Sequence, residues 1–334
     1  MKRKPNARRR KRTRAPRATY TRNTTGRLQF TKMYASGEDF LVIDLVSQYY
    51  RIEAQQIQRL AHPQLGIVFG ALLMVLPPAT PDADFRFRLF TANGEEIGRA
   101  QEATHPAHLL EMLGAARCVA QFVRQRQLTN KHQLLIETPL GELTVQIGEF
   151  EEACIDFLPP AWANTFTKSQ SFNLVTPSHS TPVTLIHTPA GETGTHSHAL
   201  LMADNMDRKA LQAIASALEN HTLFPKQATI MFMQVENRKR VHLRFFRART
   251  ESTFLTEDAG AAGALEVGGR DTDAFIAAAV GLRQQLIDHP VQVLLHAPTP
   301  GFSAHTLGIH WQGDNQVMRL GGTATTVFEG SIAL

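Results

Sequence analysis

Two stretches of this chain read as long apolar helices, and each stands at the same place in a similar series of strand-like segments. Over 106–126, Leu109, Leu110, Met112, Leu113, Ala116, Val119, Ala120, Phe122 and Val123 recur at helical spacing. Over 272–286, Asp273 stands ready to cap the amides ahead of Phe275, Ile276, Ala277, Val280 and Leu282. Helices this apolar are stable only when other elements cover them. In the first half Phe30, Met33, Phe40, Leu41, Val42 and Ile43 bracket a polar turn at Ala35-Ser36-Gly37-Glu38-Asp39, and a short helix is expected at 53–61. Strands are expected at 66–76, 85–91, 132–138 and 142–148. The second half offers strands at 182–187, 198–203, 229–235 and 241–247, a helix at 207–219, and strands at 291–296, 307–312 and 325–333. The repeated order points to an internal duplication. The expected architecture is an α/β (α+β) fold of two pseudosymmetric halves, each with strands wrapped around a central helix.

The length of 334 residues suits two units, since domains typically hold about 100–200 residues. No stretch approaches the roughly 18 consecutive apolar residues of a membrane span, so no membrane association is expected. Two cysteines in unlike contexts, Cys118 and Cys154, make no disulfide framework and fit a reducing, cytoplasmic compartment. Charge is sharply partitioned. Residues 1–27 hold twelve of the 35 Lys and Arg, which leaves 23 basic against 30 acidic residues beyond them. This segment, with Arg8, Arg9, Arg10, Lys11, Arg12 and Arg14 at its centre, contains no Leu, Ile, Val or Phe. With nothing to bury it cannot offset its ordering entropy, and disorder in isolation is expected. It reads either as an arm for nucleic acid or another anionic partner, with salt-sensitive phosphate contacts, or as a solvated tail or residues ahead of the true start.

A series of short stretches carries a family resemblance. Leu28-Gln29-Phe30-Thr31-Lys32-Met33 is followed by Gly37, Asp39-Phe40 and Val42-Ile43-Asp44. Then come Phe85-Arg86-Phe87-Arg88-Leu89-Phe90 with Asn93-Gly94, and Gly114-Ala115-Ala116-Arg117-Cys118. Phe224-Pro225, Phe232-Met233-Gln234-Val235 and the terminal Val327-Phe328-Glu329-Gly330 complete the series. In order and spacing these resemble the diaminopimelate epimerase family over about residues 28–334. The resemblance implies a tail at 1–27, an N-terminal half at 28–150 and a C-terminal half at 151–324. It also implies that the terminal strand at 325–334 returns to the first half, that no cofactor is needed, and that the chain forms a homodimer.

In that family two cysteines face each other across the substrate α-carbon. Each sits at the amino end of a central helix, where the dipole and free amides favour a thiolate and hold the substrate carboxylate. Neither cysteine is present here. At the first position, counting forward from Ala100-Gln101 gives Glu102, and counting back from Cys118 gives Met112. Cys118 matches a non-catalytic cysteine of the family and is expected to face the core. At the second position, aligning the Ala-Gly-rich stretch gives Ala259, and aligning the helix gives Arg270. The positions that hold substrate in the family are replaced as well, by Glu38, Ala71, Thr91, Thr229 and Arg247-Ala248, and Thr195-His196-Ser197-His198 stands where the family has a Gly-Asn-Pro-His turn. A site that binds two zwitterionic ends loses its hydrogen-bond partners with these residues, at about 1–3 kcal/mol for each group left unpaired. A catalytically degenerate homologue that acts as a scaffold or binding protein is therefore expected, against a cofactor-independent isomerase of the same fold with altered chemistry or a diaminopimelate epimerase whose catalytic loops are displaced.

Other chemistry has candidates. Glu102 with His105 and His108 offers an acid–base group, against a plain polar loop leading into a helix. His196 and His198, alternating on one strand, make a pair that His187 could extend toward a metal, but no carboxylate stands close in sequence and no metal is expected. The Gly-Gly pairs at 268–269 and 321–322 lack the spacing of a phosphate loop, and Gly321 and Gly322 read as turn residues. The run of about ten extra residues before Gly114 suggests that the first central helix starts early, near Pro106, which would carry Leu109, Leu110 and Met112 into the family's substrate space.

Overall fold

The computed structural model describes residues 27–35, 37–98, 106–139, 141–148, 152–157, 170–175, 180–190, 194–219, 221, 224–225, 228–247, 264–267, 270–297, 305–313 and 316–333, with backbone alone at 106–111, 170, 174–175, 189–190, 194–196 and 265. The first half runs β1 (Arg27–Ala35), β2 (Glu38–Asp44), α1 (Ala54–Ala61), β3 (Ala71–Leu76), β4 (Phe85–Thr91), β5 (Glu96–Ile97), α2 (Pro106–Gln125), β6 (Gln133–Thr138), β7 (Gly141–Ile147) and β8 (Ala153–Phe157). The second runs β9 (Gln170–Val175), β10 (Ser180–Ala190), β11 (Gly194–Met202), α3 (Arg208–Glu219), β12 (Thr229–Asn237), β13 (Arg240–Arg247), β14 (Leu265–Val267), α4 (Asp271–Arg283), β15 (Val291–Leu295), β16 (His305–Trp311) and β17 (Met318–Gly322), ahead of β18 (Thr325–Ala333).

The duplication holds strand by strand. β2 runs parallel to β3 as β11 does to β12, and β4 parallel to β6 as β13 does to β15. The short strand β5 lies on β4 as β14 lies on β13. The halves join where β8 pairs with β17, and β18 crosses back to pair with β1, as β9 pairs with β10. The result is one continuous ladder around two helices.

Those helices are buried on nearly all sides, which is why their apolar residues do not confine themselves to one stripe. In α4 every residue from Asp273 to Gly281 is buried, and in α2 every residue from Met112 to Val123. α2 and α4 pack against each other inside one cluster that draws on both halves, including Phe40, Phe87, Phe122, Met231, Phe245 and Phe275. α1 and α3 are amphipathic and cover the outer faces, α1 through Ile57 and Leu60 and α3 through Leu211, Ala215 and Leu218. Among the described residues no helix is long and apolar enough to cross a membrane.

Several sequence expectations change. The strand expected from 66 begins at Ala71, after a segment in which Val68 takes φ +43°. Gly321 and Gly322 lie inside β17 and not in a turn. A Cβ at Gly321 would stand 2.9 Å from Cys154 Sγ, and one at Gly322 would stand 2.7 Å from Arg117 Nη1, so neighbouring side chains explain both glycines. Asp273 is the third residue of α4 and not its cap. Arg270 precedes the helix, and its N–H donates to Asp273 Oδ2 at 3.4 Å. The early start of the first central helix is observed: α2 begins at Pro106.

Candidate functional site

The sequence-derived candidates divide sharply. Glu102, His105, Ala259 and the basic cluster from Arg8 to Arg14 lie outside the described residues, as do the side chains of His108, Leu109, Leu110 and His196. Met112 is wholly buried in the second turn of α2. His187 and His198 sit on opposite faces of the β10–β11 hairpin. His187 is exposed and contacts Ser197 at 2.9 Å, whereas His198 is buried, so His187 cannot extend a pair at 196 and 198. Among the described residues no three His, Cys, Asp or Glu side chains cluster closely enough to hold a metal ion.

Three replaced positions, Glu38, Thr229 and Arg247, converge with His198 on the amino end of α4. Glu38, His198 and Arg247 meet charged residues at the start of that helix. Arg270 Nε lies 3.3 Å from Glu38 Oε1, which links α4 to β2 of the other half. Asp273 Oδ1 lies 3.3 Å from His198 Nδ1, and Asp273 Oδ2 lies 3.5 Å from Arg247 Nη2. The opposite edge of the His198 ring, Nε2, is 3.1 Å from Thr188 Oγ1, and Arg247 Nε donates to Thr229 Oγ1 at 3.1 Å. Burial alone pushes the Asp273 carboxyl up. His198, Arg247 and Arg270 together outweigh burial and hold it below the usual carboxylate range.

A second pair crosses between the halves at greater depth. Arg117 Nη2 of α2 donates to Asp271 Oδ2 of α4 at 2.5 Å, with side-chain exposures of 0% and 5%. An ion pair this buried survives only with close geometry, because desolvation of each partner is costly.

Neither thiol belongs to this arrangement. Cys118 is buried in α2, and burial pushes its thiol far up, away from the thiolate form. Cys154 lies on the outer face of β8, between core residues Ala153 and Ile155, and burial raises its thiol as well. The family's two-thiol constellation is therefore absent from the amino end of α4. Two carboxylates of the helix's own first turn stand there instead, Asp271 paired with Arg117 and Asp273 with Arg247.

The sequence reading missed the roles of Asp271, Arg117 and Thr188. The signal for the first two was present: an arginine in one apolar helix and two aspartates opening another have to find partners when both helices are buried.

This fold, two duplicated halves around paired buried helices, is shared with solved structures of a phenazine biosynthesis protein, a probable proline racemase and a hydroxyproline epimerase. The phenazine biosynthesis PhzF-family protein of Enterococcus faecalis aligns over 92% of this chain and 100% of its own, with TM-score 0.52 and 16% identity. A probable proline racemase of Agrobacterium radiobacter K84 gives TM-score 0.51 at 12% identity over 92% and 93% of the two chains. A hydroxyproline epimerase of Agrobacterium vitis gives 0.50 at 11% over 93% and 94%. No protein-family model matches the sequence. The diaminopimelate epimerase of Ectopseudomonas mendocina (strain ymp) is 30% identical over 311 residues, which span 92% of this chain and 99% of that protein. The chain belongs to the diaminopimelate epimerase family.

Proposed function

We propose that this chain is a catalytically silent member of its family, kept in the cytoplasm as a scaffold or binding protein, with residues 1–27 reaching a nucleic acid or another polyanion. The observation that carries this reading is the pairing at the amino end of α4. Arg270, Asp271 and Asp273 are each engaged by another side chain, and the substitutions at Glu38 and Arg247, with His198, supply three of those partners. A single lost cysteine would leave the rest of a substrate site standing. Here the surrounding positions have been rebuilt to satisfy one another.

The 30% identity to a diaminopimelate epimerase makes diaminopimelate the first substrate to try. Stereoisomers of diaminopimelate incubated with the protein in deuterated water are expected to keep their α-protons. For the tail, binding to a polyanion that disappears at high salt and on deletion of residues 1–27 supports the arm. Equal binding by the truncated chain removes it from the account.

A second reading rests on the His198–Asp273 contact. A carboxylate holding an imidazole is an acid–base arrangement, which an isomerase of altered chemistry could use. Exchange by the wild-type chain overturns the silent reading, and His198→Gln then tests the second: loss of exchange in the variant assigns the proton transfer to His198, and its persistence removes His198 from the chemistry.

A further inference from the structure

Away from α4, a cavity of about 780 Å³ lies on the outer face of β15, β16, β17 and β8, within the range of roughly 300–1,000 Å³ typical of small-molecule sites. Its floor is a row that crosses all four strands in register: Gln292, Gly308, Gly321 and Cys154. Gly321 has a packing reason, the neighbouring Cys154 Sγ. Gly308 has none. Its φ lies outside the left-handed region, and a Cβ there would meet nothing nearer than the Gly321 carbonyl oxygen at 4.0 Å. A strand-interior glycine costs backbone entropy and gives up a side chain, and it marks places where something outside the sheet approaches the backbone.

The walls stand two residues to either side of this row. At about 3.4 Å per residue they are about 14 Å apart, room for one or two rings lying flat on the bare backbone of Gly308, beside the Cys154 thiol. One wall carries His310 beside Arg319, its cross-strand neighbour. Arg319 is oriented by two bonds to Asp156, at 2.6 and 2.7 Å, and the His310 ring is stacked on His289 at 5.3 Å and 13°. The other wall carries Thr306, Thr323 and the carboxylate of Glu152. Asp156 offsets the Arg319 charge and takes up Nε and Nη2, so the donors that the first wall offers an anionic group are Arg319 Nη1 and the His310 ring, whereas the Glu152 carboxylate disfavours such a group at the other wall.

We propose that this trench binds a flat heteroaromatic monoanion, its anionic group against His310 and Arg319 and an N–H donor on its opposite edge against Glu152. The site is independent of α4 and does not depend on whether the chain is catalytically silent.

The probe is 6-aminonicotinate, with the uncharged 6-aminonicotinamide as control, titrated calorimetrically against the full chain. The acid is expected to bind saturably, and the amide about tenfold or more weaker. Gly308→Val fills the trench with a residue better suited to a strand, so the melting temperature is expected to hold or rise while binding is lost. Arg319→Gln is expected to weaken the acid and leave the amide unchanged. Bound acid is also expected to slow alkylation of Cys154 by iodoacetamide, read by intact mass, with the buried Cys118 silent in the folded protein. Absence of saturable binding to the wild-type chain, equal binding by Gly308→Val, or an unchanged alkylation rate would overturn the proposal.

Discussion

Buried charges in this protein follow the rule that a desolvated ion needs a partner, and their single-residue consequences differ in size. Asp271→Ala leaves Arg117 charged and enclosed between α2, α4 and β17. We expect it to destabilise the fold by about 3–5 kcal/mol in a denaturant titration. Removing Asp288 from its exposed pair with Arg238 should barely move the midpoint.

A different chain of contacts fixes the state of two imidazoles on the second half. Arg244 Nη2 lies 3.3 Å from His296 Nδ1, His296 Nε2 lies 3.2 Å from His242 Nδ1, and His242 Nε2 lies 2.9 Å from Glu236. Since arginine only donates, the consistent assignment places one proton on Nε2 of each ring, directed toward Glu236. Burial, then Arg244 and His242, lower the His296 pKa from 6.5 to about 4. The folded state therefore binds fewer protons than the unfolded state between those values. The stability contributed by neutral His296 is present above pH 6.5 and is lost as pH falls toward about 4. Imidazole resonances of His296 should show no titration above about pH 5 by NMR, and Arg244→Ala should shift the midpoint upward.

At the scale of elements, turn glycines differ in what they protect. Gly94, between β4 and β5, has φ +82°, and a Cβ there would stand 2.8 Å from the Ala54 backbone at the start of α1. Gly94→Ala should therefore cost more than about 1 kcal/mol by thermal or denaturant unfolding, because strain and a backbone clash add. Gly141 has φ +121° with nothing within 4 Å, so Gly141→Ala should carry the dihedral cost alone and less destabilisation.

The central helices were legible as long apolar runs and the strand at 85–91 by its alternation, and they stand where the sequence put them. The strand at 325–333 stands in place too, although none of its residues is buried. The strands β5 and β14, of two and three residues, are too short to show a period. β17 was hidden by its glycines, whose reason lies in Cys154 and Arg117, far away in sequence. The same distance hid the site. Arg117 and Asp271 are 154 residues apart, and only the packing of α2 on α4 makes them partners. What the sequence did show was absence, a missing pair of thiols and missing polar ligands. That the replacements pair with one another became visible only in three dimensions.

At the scale of the whole molecule, the ladder runs unbroken through both halves and one apolar cluster contains both central helices. The two halves should therefore unfold together, with far-UV circular dichroism and the fluorescence of Trp162 and Trp311 giving coincident transitions. Two ion pairs, Glu38 with Arg270 and Arg117 with Asp271, add charge to this apolar junction. On the proposed reading family membership and family chemistry come apart: the scaffold that positions two helix ends is retained, while the groups at the end of α4 serve each other. The direct test is proton NMR of LL- and meso-diaminopimelate held with the protein in deuterated water, beside an active epimerase of the family as control. The account predicts α-proton signals that stay at full intensity with this protein while the control erases them. Loss of the α-proton signal at either stereocentre would contradict it.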